Sequence, residues 1–382
     1  MQPFSIHVPD TVLADLRERL VRTRWPDASP HAPWTQGTDL GYLRGLVDYW
    51  RTGFDWRASE AALNRFTQFE AAVDGLRLHF IHQRSTHAHA RPLLVVHGWP
   101  GGVYEFHKLI PRLTQPEQFG GDPKDAFHVI APSLPGYGFS EAPKQPGENT
   151  RAMARRFHTL MTETLGYPHY GVQGGDWGAV VATWLAFDQR GPVTGLHLNM
   201  PGLRANLDPA AAPLTDEEKA YFKTWERMRA EEFGYMAIQG SRPQSIGYGL
   251  NDSPAGLAAW LVEKYRAWSD CGGDPERAIT RDEMLTMITI YWATGTITSS
   301  MRLYYEFRTG REGLPQGKRV ECPTGFADFP KEILRAPERW VRRAYNIVRW
   351  TPMPRGGHFA ALEQPDALAE DVRAFFREMP RQ

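Results

Sequence analysis

The chain has 382 residues, enough for two or three domains or for one large domain carrying insertions. Its composition is globular, 42% hydrophobic and 12% aromatic, with ample apolar material for a core. Lys+Arg and Asp+Glu stand at 44 each, so the net charge is zero and nothing in the balance points to a nucleic-acid partner. Cys271 and Cys322 lie far apart, which excludes a disulfide framework and suits a reducing compartment; Cys322, before a proline in a strand-like run, reads as buried and inert. The N-terminus lacks the apolar stretch of a signal peptide, and no window approaches the ~18 apolar residues of a spanning helix. The expectation is a soluble, cytoplasmic protein without a membrane anchor.

In chain order, residues 1–90 form an N-terminal unit with helical patterns over 10–20, 40–50 and 56–66, then a strand over 76–83. From residue 91 the pattern changes. Short apolar runs at 93–98, 127–136, 169–175 and 193–202 each end in glycine or proline, with helical segments between them, which argues for a mostly parallel, doubly wound α/β sheet. Residues 206–317 lose the strand signal and read as helices over 214–238, 253–270 (with Ser253 as N-cap and Pro254 at the first helical position) and 281–307. Strand character resumes at 319–326 and 345–352, and a last helix covers 365–379. The basic residues between Arg335 and Arg355 read as a solvated helix face and loop. The α/β core is therefore expected over 91–205 and 318–382, interrupted by a helical lid over 206–317.

The sequence GGDWG, Gly174 to Gly178, follows an apolar strand and precedes the helix-like AVVATWLAF. Small residues two positions either side of a central residue permit the tight strand-to-helix turn that lifts that residue above the sheet and offers the next N–H, that of Trp177, to a developing oxyanion. The plainer reading is a glycine-rich turn with an aspartate helix cap. The central residue, Asp176, is ionised at neutral pH and attacks without a base, which suits displacement at an sp3 carbon and formation of an alkyl-enzyme ester. Opening that ester requires an activated water. His358, in RGGHFAALEQP between the final strand and the final helix, is the candidate base, and Asp328 and Glu332 in PTGFADFPKE are the local candidates to orient its ring; Glu363 lies too close along the chain. HGWPGG, residues 97–102, ends the first core strand and offers the N–H of Trp99 as a second oxyanion donor, with the Trp99-Pro100 peptide a candidate for cis geometry.

Taken in order, HGWPGG, GGDWG, PTGFADFPKE and RGGHFAALEQP resemble the microsomal-type epoxide hydrolases of the α/β-hydrolase superfamily, and the resemblance covers nearly the whole chain. It implies an α/β-hydrolase fold with an inserted helical lid and an epoxide-hydrolase-type N-terminal extension. It also implies conversion of an epoxide and water to a vicinal diol without metal or organic cofactor. The family's acid falls on Glu332 rather than Asp328. Its two proton-donating lid tyrosines fall on Tyr235, in Gly234-Tyr235-Met236, and on Tyr304, with Tyr305 one residue away. The aromatic-rich lid points to an apolar or aromatic small-molecule epoxide. The nearest rival is a haloalkane or haloacid dehalogenase, which shares the aspartate but has no use for the phenols; a non-catalytic ligand-binding homologue is the other. The N-terminal unit either braces the lid or mediates homodimerisation, and the sequence leaves both open.

Overall fold

A computed structural model describes residues 1–207 and 211–380; residues 208–210, within the expected lid, and 381–382, at the end of the expected core, lie outside the described residues. Nine strands form one sheet: β1 (Gln2–Phe4), β2 (Gln68–Val73), β3 (Leu76–Gln83), β4 (Arg91–Val96), β5 (Phe127–Pro132), β6 (Tyr170–Gly174), β7 (Val193–Leu198), β8 (Val320–Asp328) and β9 (Tyr345–Pro352), in the order β1-β2-β3-β5-β4-β6-β7-β8-β9. The pairings from β5 through β9 are parallel, and β1, β2 and β3 join through antiparallel ones.

The central strands read as continuous apolar runs because helices cover both faces. Along β4, Leu93 and Val95 pack into one cluster with Leu109, Leu113, Val372 and Phe376, while Leu94 and Val96 belong to the other, with Phe157 and Val181. The alternation is the period of two expected of a strand, and all four β4 side chains are fully buried. The helix Asp176–Asp188 is apolar nearly all round for the same reason: it packs on the sheet and on the helix Thr150–Thr159, while Trp177 at its start meets Tyr304 and Phe307.

The stretch expected as a lid holds the helices Asp216–Glu231, Gly234–Gln239, Pro243–Asp252, Pro254–Trp268, Arg281–Thr294 and Ile297–Gly310. Ser253 caps its helix as expected, its hydroxyl accepting from Gly256 N–H at 3.0 Å. The single helix expected over 281–307 is two, because Gly295 takes a left-handed φ of +63° that stops the first. The helix expected over 214–238 likewise breaks at Glu232 and Phe233.

Residues 1–90 do more than the sequence suggests. The strand expected over 76–83 is β3, but β1 and β2 were not expected; they are a three-residue edge strand and the first arm of a hairpin turned at Asp74 and Gly75. The helices Asp10–Val21, Leu40–Thr52 and Trp56–Leu63 lie against the lid. Trp50 Nε1 donates to Thr289 Oγ1 at 3.0 Å, Thr38 Oγ1 to Ala259 O at 2.6 Å, and Ser59 and Thr286 hydroxyls meet at 2.8 Å. Leu16, Leu20, Leu46 and Val47 are buried there, each such side chain contributing roughly 1.5–3 kcal/mol. Residues 1–90 thus widen the sheet and pack on the helices Pro254–Trp268 and Arg281–Thr294.

The basic run is not simply a solvated face. Arg343 pairs with buried Glu218 at 2.6 Å, joining the first lid helix to the core and holding that carboxyl down at about 2, and Arg349 pairs with Asp371 at 2.7 Å. Cys322 is half-buried rather than buried, with burial pushing its thiol up to about 12, and both cysteines are free. Among the described residues no helix is long and apolar enough to cross a membrane.

Candidate active site

Asp176 is the first residue of its helix and has φ +49°, a left-handed conformation that an L-residue adopts only under constraint. The constraint is close packing. A Cβ on Gly178 would sit 1.9 Å from the carbonyl oxygen of Val96, so only glycine lets the helix start against the end of β4. A Cβ on Gly98 would fall 2.2 Å from Asp176 Oδ1, and its absence lets the HGWPGG loop run beside the carboxylate. There the Trp99 N–H donates to Asp176 Oδ1 at 2.7 Å, and the Trp99-Pro100 peptide is cis. The Trp177 N–H belongs to the first helical turn, whose amides have no carbonyl four residues back to bond.

His358 sits after β9 with its backbone N–H on Trp268 O at 2.9 Å. Its Nδ1 bonds Glu332 Oε1 at 2.8 Å and Oε2 at 3.1 Å, and its Nε2 lies 3.2 Å from Asp176 Oδ2. That last contact has the distance of an ion pair without hydrogen-bond alignment, so Nε2 is buried with no hydrogen-bond partner. Burial alone would push the imidazole pKa down. The Glu332 and Asp176 carboxylates outweigh it and hold the ring well above its ordinary value.

Of the two orienting candidates, Glu332 reaches the ring. Asp328 is taken by Arg335, which grips it bidentately at 2.8 and 2.9 Å. Glu363 faces away, accepting the N–H groups of Asp270, Gly357 and Phe359 at 2.7–3.0 Å, and burial raises its carboxyl to about 7. Tyr235 and Tyr304, from two lid helices, are both buried, whereas Tyr305 is 39% exposed. Tyr235 stacks on Trp99 with centroids 5.4 Å apart and 8° between planes, and Tyr304 meets Trp177 edge-on at 4.7 Å. Burial, then the Asp176 charge for Tyr235 and the Tyr235 phenol and Asp176 for Tyr304, push both hydroxyls well above their ordinary values, so both stay protonated. The Tyr304 hydroxyl is buried without a partner.

These residues bound a cavity of about 380 Å³ walled largely by aromatic and aliphatic side chains, among them Trp225, Phe233 and Phe307, with Asp176 at its floor. A second, much smaller chamber opens on the other side of Asp176. It is lined by His358 and by three polar residues that sequence reading missed, Glu105, Gln173 and Asn199. Nothing local marks them; they meet only because β4, β6 and β7 end side by side. Among the described residues no cluster of His, Cys, Asp or Glu is arranged to hold a metal ion.

Residues 1–106 match the family described as "Epoxide hydrolase N terminus" and residues 91–238 the "alpha/beta hydrolase fold". The chain is 47% identical to a putative epoxide hydrolase of Stigmatella aurantiaca, over 99% of this chain and 85% of that one. It is 40% identical to epoxide hydrolase 1 of Sus scrofa, over 98% and 88%. Among solved structures, Aspergillus niger epoxide hydrolase superposes with a TM-score of 0.87 at 31% identity, covering 99% of this chain and 96% of that one. Juvenile hormone epoxide hydrolase from Bombyx mori gives 0.85 at 32%, covering 99% and 93%. Matched at such identity over nearly its full length, on the fold and with the motifs described, this chain belongs to the epoxide hydrolase family.

Proposed function

We propose that this enzyme hydrolyses an apolar epoxide to a vicinal diol through an ester on Asp176. The observation that carries the reading is the opposition across one cavity of an ionisable carboxylate and two neutral, buried phenols. In the first step a carboxylate oxygen of Asp176 attacks an epoxide carbon, the carbon–oxygen bond of the ring breaks, and Tyr235 or Tyr304 gives its proton to the departing oxygen. A phenol is an adequate acid toward a far more basic alkoxide. In the second step neutral His358, aligned by Glu332, takes a proton from water as the water oxygen adds to the ester carbonyl carbon. The Trp99 and Trp177 N–H groups receive the oxyanion; losing one such donor typically costs ~10²–10³ in rate. Collapse expels the diol oxygen, which takes the proton from His358; the second water proton, left on the new Asp176 carboxyl group, replaces the one the phenol gave up, and carboxylate and phenol are both restored.

In this reading the core (91–205 and 318–382) supplies nucleophile, base and oxyanion donors, the lid (206–317) supplies the phenols, and the extension (1–90) holds the lid in place. The aromatic cavity lining favours a bulky apolar or aromatic substrate. The Trp177 indole N–H, buried without a partner, is the feature a halide-releasing enzyme would share. Styrene oxide and a chloroalkane assayed side by side separate the two, with turnover expected of the epoxide alone. The decisive test is His358→Gln incubated with styrene oxide: intact-mass and peptide analysis should find one substrate mass on the peptide carrying Asp176. A folded variant that stays unlabelled would sink the two-step scheme.

A further inference from the structure

The two cavities described above share one residue, Asp176. The smaller is about 20 Å³, room for a single water. Two polar atoms of its wall, Gln173 Oε1 and His358 Nε2, are buried without a hydrogen-bond partner. Glu105 enters it from the short turn Val103–Phe106, with Oε1 accepting the Gly102 N–H at 3.1 Å. A Cβ on Gly101 would lie 1.2 Å from that oxygen, so the loop leaves room for the carboxyl. The lid fixes the same loop: Tyr265 and Tyr291 donate to Pro100 O and Gly101 O at 3.0 and 2.8 Å.

Resting on the nucleophile reading above, we propose that this chamber holds the water that hydrolyses the Asp176 ester and that Glu105 is a residue holding it. A buried acceptor without a partner is costly, and a three-sided polar pocket of one-water size is the arrangement that offsets the cost. Position favours it as well. The water lies behind the carboxylate, next to the unoccupied lone pair or proton of His358 Nε2, so it need not enter through the apolar cavity while the alkyl group fills it. Its O–H bond breaks toward His358 Nε2, its oxygen bonds the ester carbonyl carbon and remains in the Asp176 carboxyl group, the diol oxygen leaves with the proton from His358, and the second water proton replaces the one given up by the phenol, leaving Asp176 as the carboxylate. The field at Glu105 changes with the reaction. Burial, then the Asp176 charge, raises its carboxyl to about 8 against the opposing His358 charge, and esterification of Asp176 removes the second of these.

The test is Glu105→Gln, which keeps an acceptor for the Gly102 N–H, in single-turnover quench experiments with styrene oxide read by intact mass. Ester formation should run at the parent rate and ester hydrolysis about 10²-fold slower, the usual consequence of a misplaced reactant. Ester should therefore accumulate in steady state. A residue that merely shapes the loop would slow both steps alike, because the same loop carries the Trp99 donor. Hydrolysis at the parent rate, or proportionate loss in both steps, would overturn the proposal. Gln173→Met carries the same test if Glu105→Gln proves unstable, since the side-chain hydrogen bond it removes is the Gln173 Nε2 donation to Asn199 Oδ1 at 3.0 Å. Absence of any ester in His358→Gln would instead overturn the nucleophile reading, and this inference with it; an ester that forms and then hydrolyses normally in Glu105→Gln overturns this inference alone.

Discussion

Tyr304→Phe should make the protein more stable and the enzyme slower. The ring is kept, and with it the edge contacts to Trp177 at 4.7 Å, Tyr235 at 5.7 Å and Trp99 at 5.8 Å. What is lost is a hydroxyl that is buried without a partner. Leaving such a group unsatisfied costs about 1–3 kcal/mol, so its removal should return up to that amount. With an unfolding entropy of about 2.1 cal/mol/K per residue, a chain of 382 residues has roughly 0.8 kcal/mol/K, and Tm should rise by about 1–4 °C. Removal of a proton donor typically costs ~10²–10⁴ in rate; with Tyr235 still present, ester formation should fall toward the lower end, about 10²-fold. Calorimetry gives the first quantity. Stopped-flow tryptophan fluorescence, reporting from Trp99 and Trp177 beside Asp176, gives the second. A residue selected for packing would lose stability and activity together. A fall in Tm, or unchanged ester formation, would refute the assignment of this hydroxyl as a donor.

Glu332→Gln should cut ester hydrolysis by about 10²–10⁴-fold in single-turnover assays, as expected when a histidine base loses its orienting carboxylate, while Asp328→Asn, whose partner is Arg335, should stay within a few-fold of the parent; the reverse ranking would reassign the role. Gly178→Ala forces a Cβ to 1.9 Å from a backbone oxygen that no rotamer can move, so denaturant titration should show a loss of roughly 3 kcal/mol or more, and a loss below about 1 kcal/mol would contradict the packing of this turn. Glu283 bonds His107 and Lys108 across the lid–core boundary; burial raises its carboxyl, but these partners and the Thr280 N–H win and hold it at about 2 against an ordinary 4.5. A lowered carboxyl stabilises the fold above its ordinary value and the gain is lost as pH falls toward 2, up to roughly 3 kcal/mol for such a shift. Glu283→Gln should therefore melt lower at pH 7 and show a flatter loss of stability below pH ~4.5; an unchanged acid profile would mean the contact carries no net stabilisation.

How far the sequence was legible follows from how local each constraint is. The turn around Asp176 could be read because its requirements are steric and lie within five residues: small groups at Gly174 and Gly178 are needed wherever this strand and helix meet. The apolar runs of β4 and β6 announced buried parallel strands, since both their faces are covered. The choice between Asp328 and Glu332 could not be made from the residues, because it turns on Arg335 occupying the first, and the resemblance alone favoured the second. β1 and β2 were missed because a three-residue edge strand and the arm QFEAAV carry little pattern and gain their pairing from β3, which is itself placed by β5. The break at Gly295 was legible in principle, since glycine is the usual helix stop, but the apolar period runs on through it. Glu105, Gln173 and Asn199 come from three loops and strand ends and share no spacing at all.

In the proposed reaction the second step must not begin before the first, and the charges around Asp176 enforce that order without a moving part. Before alkylation His358 lies between two carboxylates whose combined field keeps it protonated, and a protonated imidazole cannot take a proton from water. Alkylation converts Asp176 to a neutral ester. One of the two fields disappears, burial again favours the neutral ring, and the proton released balances the tyrosinate left by the first step. Glu105 feels the same event with the opposite charge: it loses the anion that opposed its ionisation. A single change at Asp176 thus moves His358 toward its proton-accepting form and removes one charge that opposed ionisation of Glu105, both of them lining the same water-sized chamber. The base needed for hydrolysis is therefore produced by the alkylation that creates its substrate, and an enzyme without bound ester holds no activated water to attack an incoming epoxide directly.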